Sequence, residues 1–222
     1  MFDEMRTEHD WTESFKGFGA FWKHDGNPER PYVRLTSGLI SDGYFNCGLI
    51  VSEHPRFFRR ACTELARKIS PPHGAIDRIV GAAKGGIVLS YNLASSMLDT
   101  TYAYAEKPNE VFVFDKRFSS HFRDDERIMM VEDTISTAGT LRELRTVILR
   151  EIPGAILYPQ VLAICNRSGK TFFDDFSILS LITLEANSWQ EGENPFTPDG
   201  NELVPPLPAG KANWHQLTRE YA

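Results

Sequence analysis

Two adjacent carboxylates, Glu132 and Asp133, are the side chains of this sequence best suited to do chemistry. They end an apolar run, and a turn rich in small and hydroxyl residues follows at 134–140, before an amphipathic helical pattern. This order predicts a buried strand that delivers two acids at its carboxyl end, and then a loop that opens a helix. Helix N-terminal amides beside hydroxyl groups can hold a phosphate. Because carboxylates can hold sugar hydroxyls or a hydrated Mg²⁺, the segment suggests a site for a phosphorylated ribose.

The Glu-Asp pair also has a plainer interpretation. Apolar strings that end in these acids occur at ordinary strand ends, where the carboxylates are solvated or cap the next helix. The combination of strand, hydroxyl-rich loop and helix favours the phosphoribosyl site over this alternative.

Three other segments place reactive or ring-binding groups beside predicted turns. The small-residue loop at 81–86 lets backbone amides approach a pyrophosphate and carries Lys84, which is otherwise an exposed lysine on a turn. Arg167 follows an apolar run, and its planar fork suits a carboxylate, unless the side chain is simply solvated. Tyr44 and Phe45 can enclose a planar ring or belong to the core of a hairpin.

The elements that must position these groups alternate along the chain. Asp10 with Glu13 suggests a capping box for a first helix. Further helices are predicted at 55–69, 87–97 and 140–152. Strands are predicted at 32–36, 44–51, 76–81, 101–106, 111–115, 128–133, 158–165 and 176–184. The alternation predicts an α/β fold with a mostly parallel sheet covered on both faces, which binds ligands at the carboxyl ends of its strands.

Composition sets the broad class of the protein. With 222 residues, 41% hydrophobic and 24% charged, the sequence is typical of one globular domain. The net charge of −6 argues against a general nucleic-acid or membrane-surface binder. No stretch has the length and apolarity of a membrane span, and the first ten residues lack a signal-peptide core. Cys47, Cys62 and Cys165 lack metal-ligand spacing, so we expect reduced thiols in a cytoplasmic protein.

The segment 129–140 resembles the phosphoribosyl-pyrophosphate (PRPP) motif of type I phosphoribosyltransferases, although Thr134 stands where an apolar residue is commoner. The resemblance implies a mostly parallel central sheet flanked by helices, with a small hood lobe, in a single domain over 1–222. The hood would use about 10–50 and part of the C-terminal tail, and the core about 54–185. The residues that the resemblance assigns to PRPP are Lys84, Glu132, Asp133, Thr134, Ile135, Ser136, Thr137, Ala138, Gly139 and Thr140.

The segment 35–50 resembles the hood of orotate phosphoribosyltransferases. The matching residues are Ser37, Gly38, Ser41, Tyr44, Phe45, Asn46, Gly48 and Leu49. The run that contains Arg167 is similar to a segment of that family whose arginine binds the orotate carboxylate. The resemblance therefore implies that Tyr44, Phe45, Ser136 and Arg167 bind orotate.

The basic segment 106–127 resembles the family's catalytic loop less closely. Its basic residues include Lys107, Lys116, Arg117, His121 and Arg123, without the spacing of one well-known branch. Thr36 also stands where that branch has a lysine. The resemblance implies Lys107 and Lys116 as catalytic residues beside Glu132 and Asp133, and a solvated run of charges is the alternative for His121 and Arg123.

The implied activity is transfer of the 5-phosphoribosyl group from PRPP to orotate, giving orotidine 5′-phosphate and pyrophosphate in pyrimidine biosynthesis. The implied cofactor is Mg²⁺, held mainly through PRPP and water and not by a protein metal site. A homodimer is implied because such loops act across subunits, and no nucleic-acid or membrane partner is expected. Two alternatives stay open: a phosphoribosyltransferase for another base, or a PRPP-binding regulatory protein without turnover.

Overall fold

The computed structural model describes residues 5–35, 37–69, 76–193, 204–209 and 211–219. The strands in these ranges are β1 (Phe21–Lys23), β2 (Val33–Arg34), β3 (Ile40–Ser41), β4 (Gly43–Phe45), β5 (Arg78–Ala82), β6 (Thr101–Glu106), β7 (Val113–Phe114), β8 (Arg127–Ile135), β9 (Ile156–Asn166), β10 (Phe172–Phe173), β11 (Phe176–Thr183), β12 (Ser188–Trp189) and β13 (Leu207–Pro208). The helices are α1 (Glu8–Gly17), α2 (Cys47–Glu53), α3 (Pro55–Arg67), α4 (Gly85–Ser95), α5 (Lys116–Ser119), α6 (Gly139–Glu151) and α7 (Lys211–Thr218).

A seven-stranded sheet forms the centre of the molecule, in the order β10-β11-β9-β8-β5-β6-β7. The five inner strands pair in parallel, and the edge strands β10 and β7 pair antiparallel. All five residues of β5 are buried, as expected for an inner strand of a parallel sheet with both faces covered. The predicted α/β fold with a mostly parallel sheet is therefore confirmed.

Alternate residues of β8 supply the two apolar layers of the core. Met129 and Val131 pack on one face with residues of α1, α3 and α4, whereas Ile128 and Met130 pack on the other face with α6. This alternation follows from the two-residue period of a strand. It holds β8 in the middle of the sheet and fixes the position of the acids at its carboxyl end.

The remaining strands, β1–β4, β12 and β13, form with α7 what we call the small lobe. It contains a four-stranded sheet in the order β12-β3-β2-β13 and the β1-β4 pair. Trp22, Val33, Trp214 and Leu217 form a shared apolar cluster that joins these elements. The small lobe is tied to the chain after β11 by Asp42, whose carboxylate accepts hydrogen bonds from the backbone and side-chain N–H groups of Asn187.

The predicted strand at 44–51 is wrong in its second half. Strand β4 ends at Phe45, and helix α2 starts two residues later. Asn46 causes the change, because its Oδ1 accepts a hydrogen bond from the Leu49 N–H at 3.1 Å and so caps the helix.

Helix starts elsewhere follow local capping rules. The capping box of α1 uses Thr7 and Asp10, and not the predicted pair of Asp10 with Glu13. Pro55 begins α3 as predicted. The residues that follow this helix, 70–75, lie outside the described residues, as does Thr36.

Candidate active site

A cavity of about 450 Å³ lies between the small lobe and the carboxyl end of β8. The side chains and backbone around it come from both parts of the molecule. Its lining residues are Leu35, Ser37, Tyr44, Phe45, Asn46, Cys47, Gly48, Glu132, Asp133, Thr134, Ser136, Thr140, Arg167 and Ala209. Because β9, β8 and β5 are neighbours and parallel, the loops that follow them meet at this edge of the sheet.

The two acids at the end of β8 are held in a poorly solvated position. Burial raises the pKa of Glu132 to about 8, although a hydrogen bond with the Thr140 side chain partly opposes this shift. Burial also raises the pKa of Asp133, whose carboxylate accepts a hydrogen bond from the Thr134 N–H at 3.0 Å and one from the Cys47 thiol. Hydroxyl donors or a cation would stabilise the ionised form of both acids.

The loop after β8 leads directly into the N-terminus of α6. Ser136 and Thr137 are exposed, and Ala138 has a left-handed conformation with φ of 58° at the N-cap position. The Ala138 side chain cannot cap the helix, and the Gly139 N–H makes only a 3.4 Å contact with Thr137 Oγ1. Ser136 and Thr140 line the cavity. The uncapped amides of α6 are therefore available to an anion such as phosphate.

Arg167 follows β9 on the other side of the β8 acids. Its backbone N–H donates to the Ile135 carbonyl at 2.7 Å, and its Nη2 donates to Ser41 Oγ at 3.4 Å. The Nε atom is buried and has no hydrogen-bond partner within the described ranges. Burial lowers the pKa of this guanidinium. A planar cation with an unsatisfied edge at a cavity wall suits a carboxylate.

The two aromatic residues of β4 differ in their environment. Phe45 is 3% exposed and packs edge-on against Phe15 at a centroid distance of 5.0 Å, so most of its ring belongs to the core. Tyr44 is less buried and packs against Trp214 at 5.5 Å. Burial, followed by the charge of Asp133, raises the pKa of the Tyr44 hydroxyl. Tyr44 is thus the better placed of the two to contact a ring in the cavity.

The small-residue loop between β5 and α4 lies against Asp133. A Cβ atom on Gly85 would sit 2.3 Å from Asp133 Cγ, and one on Gly81 would sit 2.1 Å from the Gly86 carbonyl oxygen. Only glycine fits either position. The Ala83–Lys84 peptide bond is cis, and the exposed Lys84 side chain is not among the groups lining the cavity. The loop thus brings its backbone, and not the lysine head group, to the acids.

Comparison with known proteins is decisive for the family. No family model matches the chain. An orotate phosphoribosyltransferase of Pelotomaculum thermopropionicum is 33% identical over 187 residues, covering 84% of this chain and 94% of that protein. The chain belongs to the orotate phosphoribosyltransferase family.

Solved structures agree on the fold. The orotate phosphoribosyltransferase of Aeropyrum pernix aligns with a TM-score of 0.59 and 16% identity, covering 78% of this chain and 93% of that chain. UMP synthase of Leishmania donovani aligns with the same TM-score and identity, over 81% of this chain and 37% of that longer chain. At this identity the likeness shows the fold alone, and it agrees with the predicted type I phosphoribosyltransferase fold.

The two lysines predicted to be catalytic in this family member lie away from the cavity lining. Lys107 Nζ sits 4.6 Å from the centre of the Phe112 ring and pairs with Glu143 of α6. Lys116 is exposed at the start of α5. Their catalytic roles stay predictions.

Sequence reasoning did not assign Asn46 and Cys47 to the site. Both line the cavity, and the Cys47 thiol forms a hydrogen bond with Asp133. Burial raises the pKa of this thiol well above its ordinary value, so it is a neutral donor and not a nucleophile. Asn46 was recognisable as part of the hood-like segment, but no sequence signal indicated that Cys47 would meet an acid from a distant strand.

The part of the chain that the structure describes contains no group of three His, Cys, Asp or Glu side chains able to hold a metal ion. It also contains no helix long and apolar enough to cross a membrane.

Proposed function

We propose that this protein transfers the 5-phosphoribosyl group of PRPP to orotate, giving orotidine 5′-phosphate and pyrophosphate as a step of pyrimidine biosynthesis. The observation that carries the proposal is the position of Arg167. Its buried Nε has no partner among the described residues, and its side chain lines the same cavity as Glu132 and Asp133. Orotate offers this fork a carboxylate, whereas adenine, guanine and hypoxanthine have none.

The proposed chemistry gives each group of residues a separate role. Cleavage of the anomeric C–O bond gives the ribose oxocarbenium character, which the negative charges of Glu132 and Asp133 favour while they hold the ribose hydroxyls. The amides and hydroxyls of the loop from Ser136 to Thr140 hold the 5-phosphate. Arg167 fixes the orotate carboxylate, so that the ring nitrogen approaches the anomeric carbon. Lys84, Lys107 and Lys116 are the proposed cations for the departing pyrophosphate.

Mg²⁺ is part of the same proposal. Mg²⁺ prefers oxygen ligands, and the carboxyl groups of Glu132 and Asp133 can supply them. Burial raises the pKa of both groups, and a nearby cation would oppose that shift by favouring their ionised forms. When bound, Mg²⁺ neutralises charge on the pyrophosphate group. We propose that PRPP and water supply most of its ligands, since two carboxylates alone do not fill its coordination sphere.

The assembly and setting of the protein are also proposals. Lys107 and Lys116 do not line their own cavity, which supports a homodimer in which the segment 106–127 acts on the partner's site. We propose a single domain over 1–222, with a hood from about 10–50 and part of the tail and a core from about 54–185. Three buried, unpaired cysteines support a reducing, cytoplasmic setting.

The decisive experiment follows the loss of orotate absorbance on mixing the protein with PRPP, Mg²⁺ and orotate. We expect Mg²⁺-dependent loss of orotate, and no loss when Mg²⁺ is omitted. Turnover of a purine base without turnover of orotate would replace the proposed substrate. Binding of PRPP without turnover of any base would replace the proposal with the regulatory alternative.

A further inference from the structure

Asn46 is held rigidly where the small lobe passes into α2. Its backbone N–H donates to the Ala20 carbonyl at 2.7 Å, and its Oδ1 accepts from the Leu49 N–H at 3.1 Å. Only the oxygen of the amide can accept from an N–H group, so the capping bond also fixes which way round the amide lies. The side chain is 7% exposed. The direction of its Nδ2 group is therefore set before any ligand binds.

The Nδ2 atom of Asn46 is buried and makes no hydrogen bond to any described residue. A buried amide donor without a partner is costly, and most such groups in native proteins are satisfied. Asn46 is one of the residues that line the cavity, as are its sequence neighbours Phe45 and Cys47. The missing acceptor is therefore expected from whatever fills the cavity.

We propose that Asn46 is a base-recognition residue, whose Nδ2 donates a hydrogen bond to a ring carbonyl oxygen of the pyrimidine. This inference rests on the proposed function. The residues assigned to the ribose and phosphate lie at the end of β8 and the start of α6, whereas Asn46 follows Tyr44 and Phe45 in the small lobe. Arg167 already provides the charged partner for a carboxylate. A neutral donor on the lobe side of the cavity suits a neutral acceptor on the same ring.

The test separates the capping role of Asn46 from its recognition role. Ser and Asp cap helices about as well as Asn, so Asn46→Ser and Asn46→Asp keep the start of α2 while they remove the amide donor. Thr7→Ala is a matched control, because it removes the cap of α1 far along the chain from the cavity residues. Orotate KM, PRPP KM, kcat and Tm are measured for each variant and for the unaltered protein.

We expect Asn46→Ser to raise the orotate KM by about tenfold, because one neutral hydrogen bond is lost at a buried donor site. Asn46→Asp should raise it further, because a carboxylate oxygen would then face the ring carbonyl. The PRPP KM and the Tm should change little in both variants, whereas Thr7→Ala should lower Tm and leave both KM values alone.

Three results would overturn the inference. An unchanged orotate KM in an active Asn46→Ser variant would leave Asn46 a helix cap only. A selective rise in the PRPP KM would assign the Nδ2 donor to the phosphoribosyl group. Failure of the unaltered protein to consume orotate would overturn the proposed function itself. This result is distinguishable from the other two because it is obtained with the unaltered protein, before any variant is measured.

Discussion

Two regions of this protein carry the charged groups expected to act on PRPP, and different forces hold them in place. Glu132 and Asp133 lie near the carboxyl end of the central strand β8, which is paired in parallel with a neighbour on each side. Lys107 and Lys116 lie on either side of the edge strand β7 in the sequence. Lys107 follows β6 and pairs with Glu143, whereas Lys116 is exposed at the start of α5. The first region is assembled by the fold of one chain. The second is not brought to the cavity by that fold.

This difference shows what a parallel sheet can and cannot organise. A strand end is positioned by every hydrogen bond of its ladder, so short side chains there reach the cavity without further help. The ammonium group of a lysine lies at the end of a long, flexible side chain, so its position depends on the nearest favourable partner. In this protein the acids line the cavity, whereas Lys107 and Lys116 do not. The proposed action of these lysines on PRPP therefore calls for closure of their segment or for a second subunit.

The largest expected effect is that of Asp133→Asn. We expect turnover to fall by about a thousandfold, since the variant loses a charge that favours the positive ribose in the transition state. The fold should persist, because the amide is nearly isosteric with the carboxyl group. Orotate consumption and circular dichroism measure the two effects. Asp125→Asn, at an exposed acid, is the control, and unchanged activity of Asp133→Asn would remove this acid from the mechanism.

A smaller and more selective effect is expected from Arg167→Ala. Loss of a charge-assisted contact should raise the orotate KM by about 10- to 100-fold. The PRPP KM should change far less, because the acids and the α6 loop remain. Steady-state kinetics with each substrate varied in turn provides the measurement. Arg150→Ala, at the exposed end of α6, is the control, and equal changes in both KM values would contradict the carboxylate role.

The sequence was most informative where the structural elements around the site follow one another directly along the chain. The apolar run, the acids, the hydroxyl-rich turn and the helix after them are all visible in the residues from Met129 to Thr140, and the observed β8 and α6 differ from the predicted elements by only a few residues at their ends. The parallel sheet was predictable for the same reason, since strands and helices alternate. The roles of the individual site residues remain predictions.

The features that sequence reasoning missed depend on contacts between distant segments. Helix α2 replaces half of a predicted strand because one capping amide, Asn46, outweighs the β propensity of the apolar run that follows. Gly85 must be glycine because of Asp133, which lies almost fifty positions later. The pairing of Lys107 with Glu143 is equally invisible in a linear pattern. Such contacts exist only once the sheet order is known.

Substitution of the two lysines tests whether the second region acts at all. We expect Lys107→Ala and Lys116→Ala each to lower kcat by about tenfold, through loss of one cation near the pyrophosphate. Lys170→Ala, outside the segment, is the control. If neither variant affects kcat, a solvated run of charges is the correct interpretation of this segment.

Mixing two variants then tests whether Lys116 acts on the cavity of its own subunit or on that of the partner subunit. If the lysine acts on the partner's site, co-refolded Lys116→Ala and Asp133→Asn chains form hybrids in which one site has both its acid and its lysine. Activity above the sum of the separate variants is expected. Activity equal to that sum would contradict action across subunits, and would place the lysine over its own cavity after a movement of the segment.

The smallest expected effect is on the thermal stability of the folded protein, and it concerns the buried acid Glu132. The pKa of Glu132 is raised to about 8 by burial, whereas in the unfolded chain the ordinary value of 4.5 applies. Between these pH values the unfolded state binds fewer protons than the folded state, so this carboxyl group makes the protein progressively less stable as pH rises. Glu132→Gln should remove that loss. Its Tm should be close to that of the unaltered protein near pH 5 and exceed it by about 5–10 °C near pH 8.

Thermal unfolding across this pH range provides the measurement, with Glu151→Gln as the control at an exposed position of α6. Parallel Tm curves for Glu132→Gln and the unaltered protein would mean that Glu132 is already well solvated.

PRPP with Mg²⁺ should make the unaltered protein the more stable of the two at pH 8, because a ligand that binds the folded state stabilises it more when its affinity is higher. The glutamine cannot offer the charge that this ligand favours. A Glu132→Gln variant that is more stable without ligand, and less stabilised by PRPP, would show that the Glu132 carboxylate destabilises the empty protein but contributes to PRPP binding.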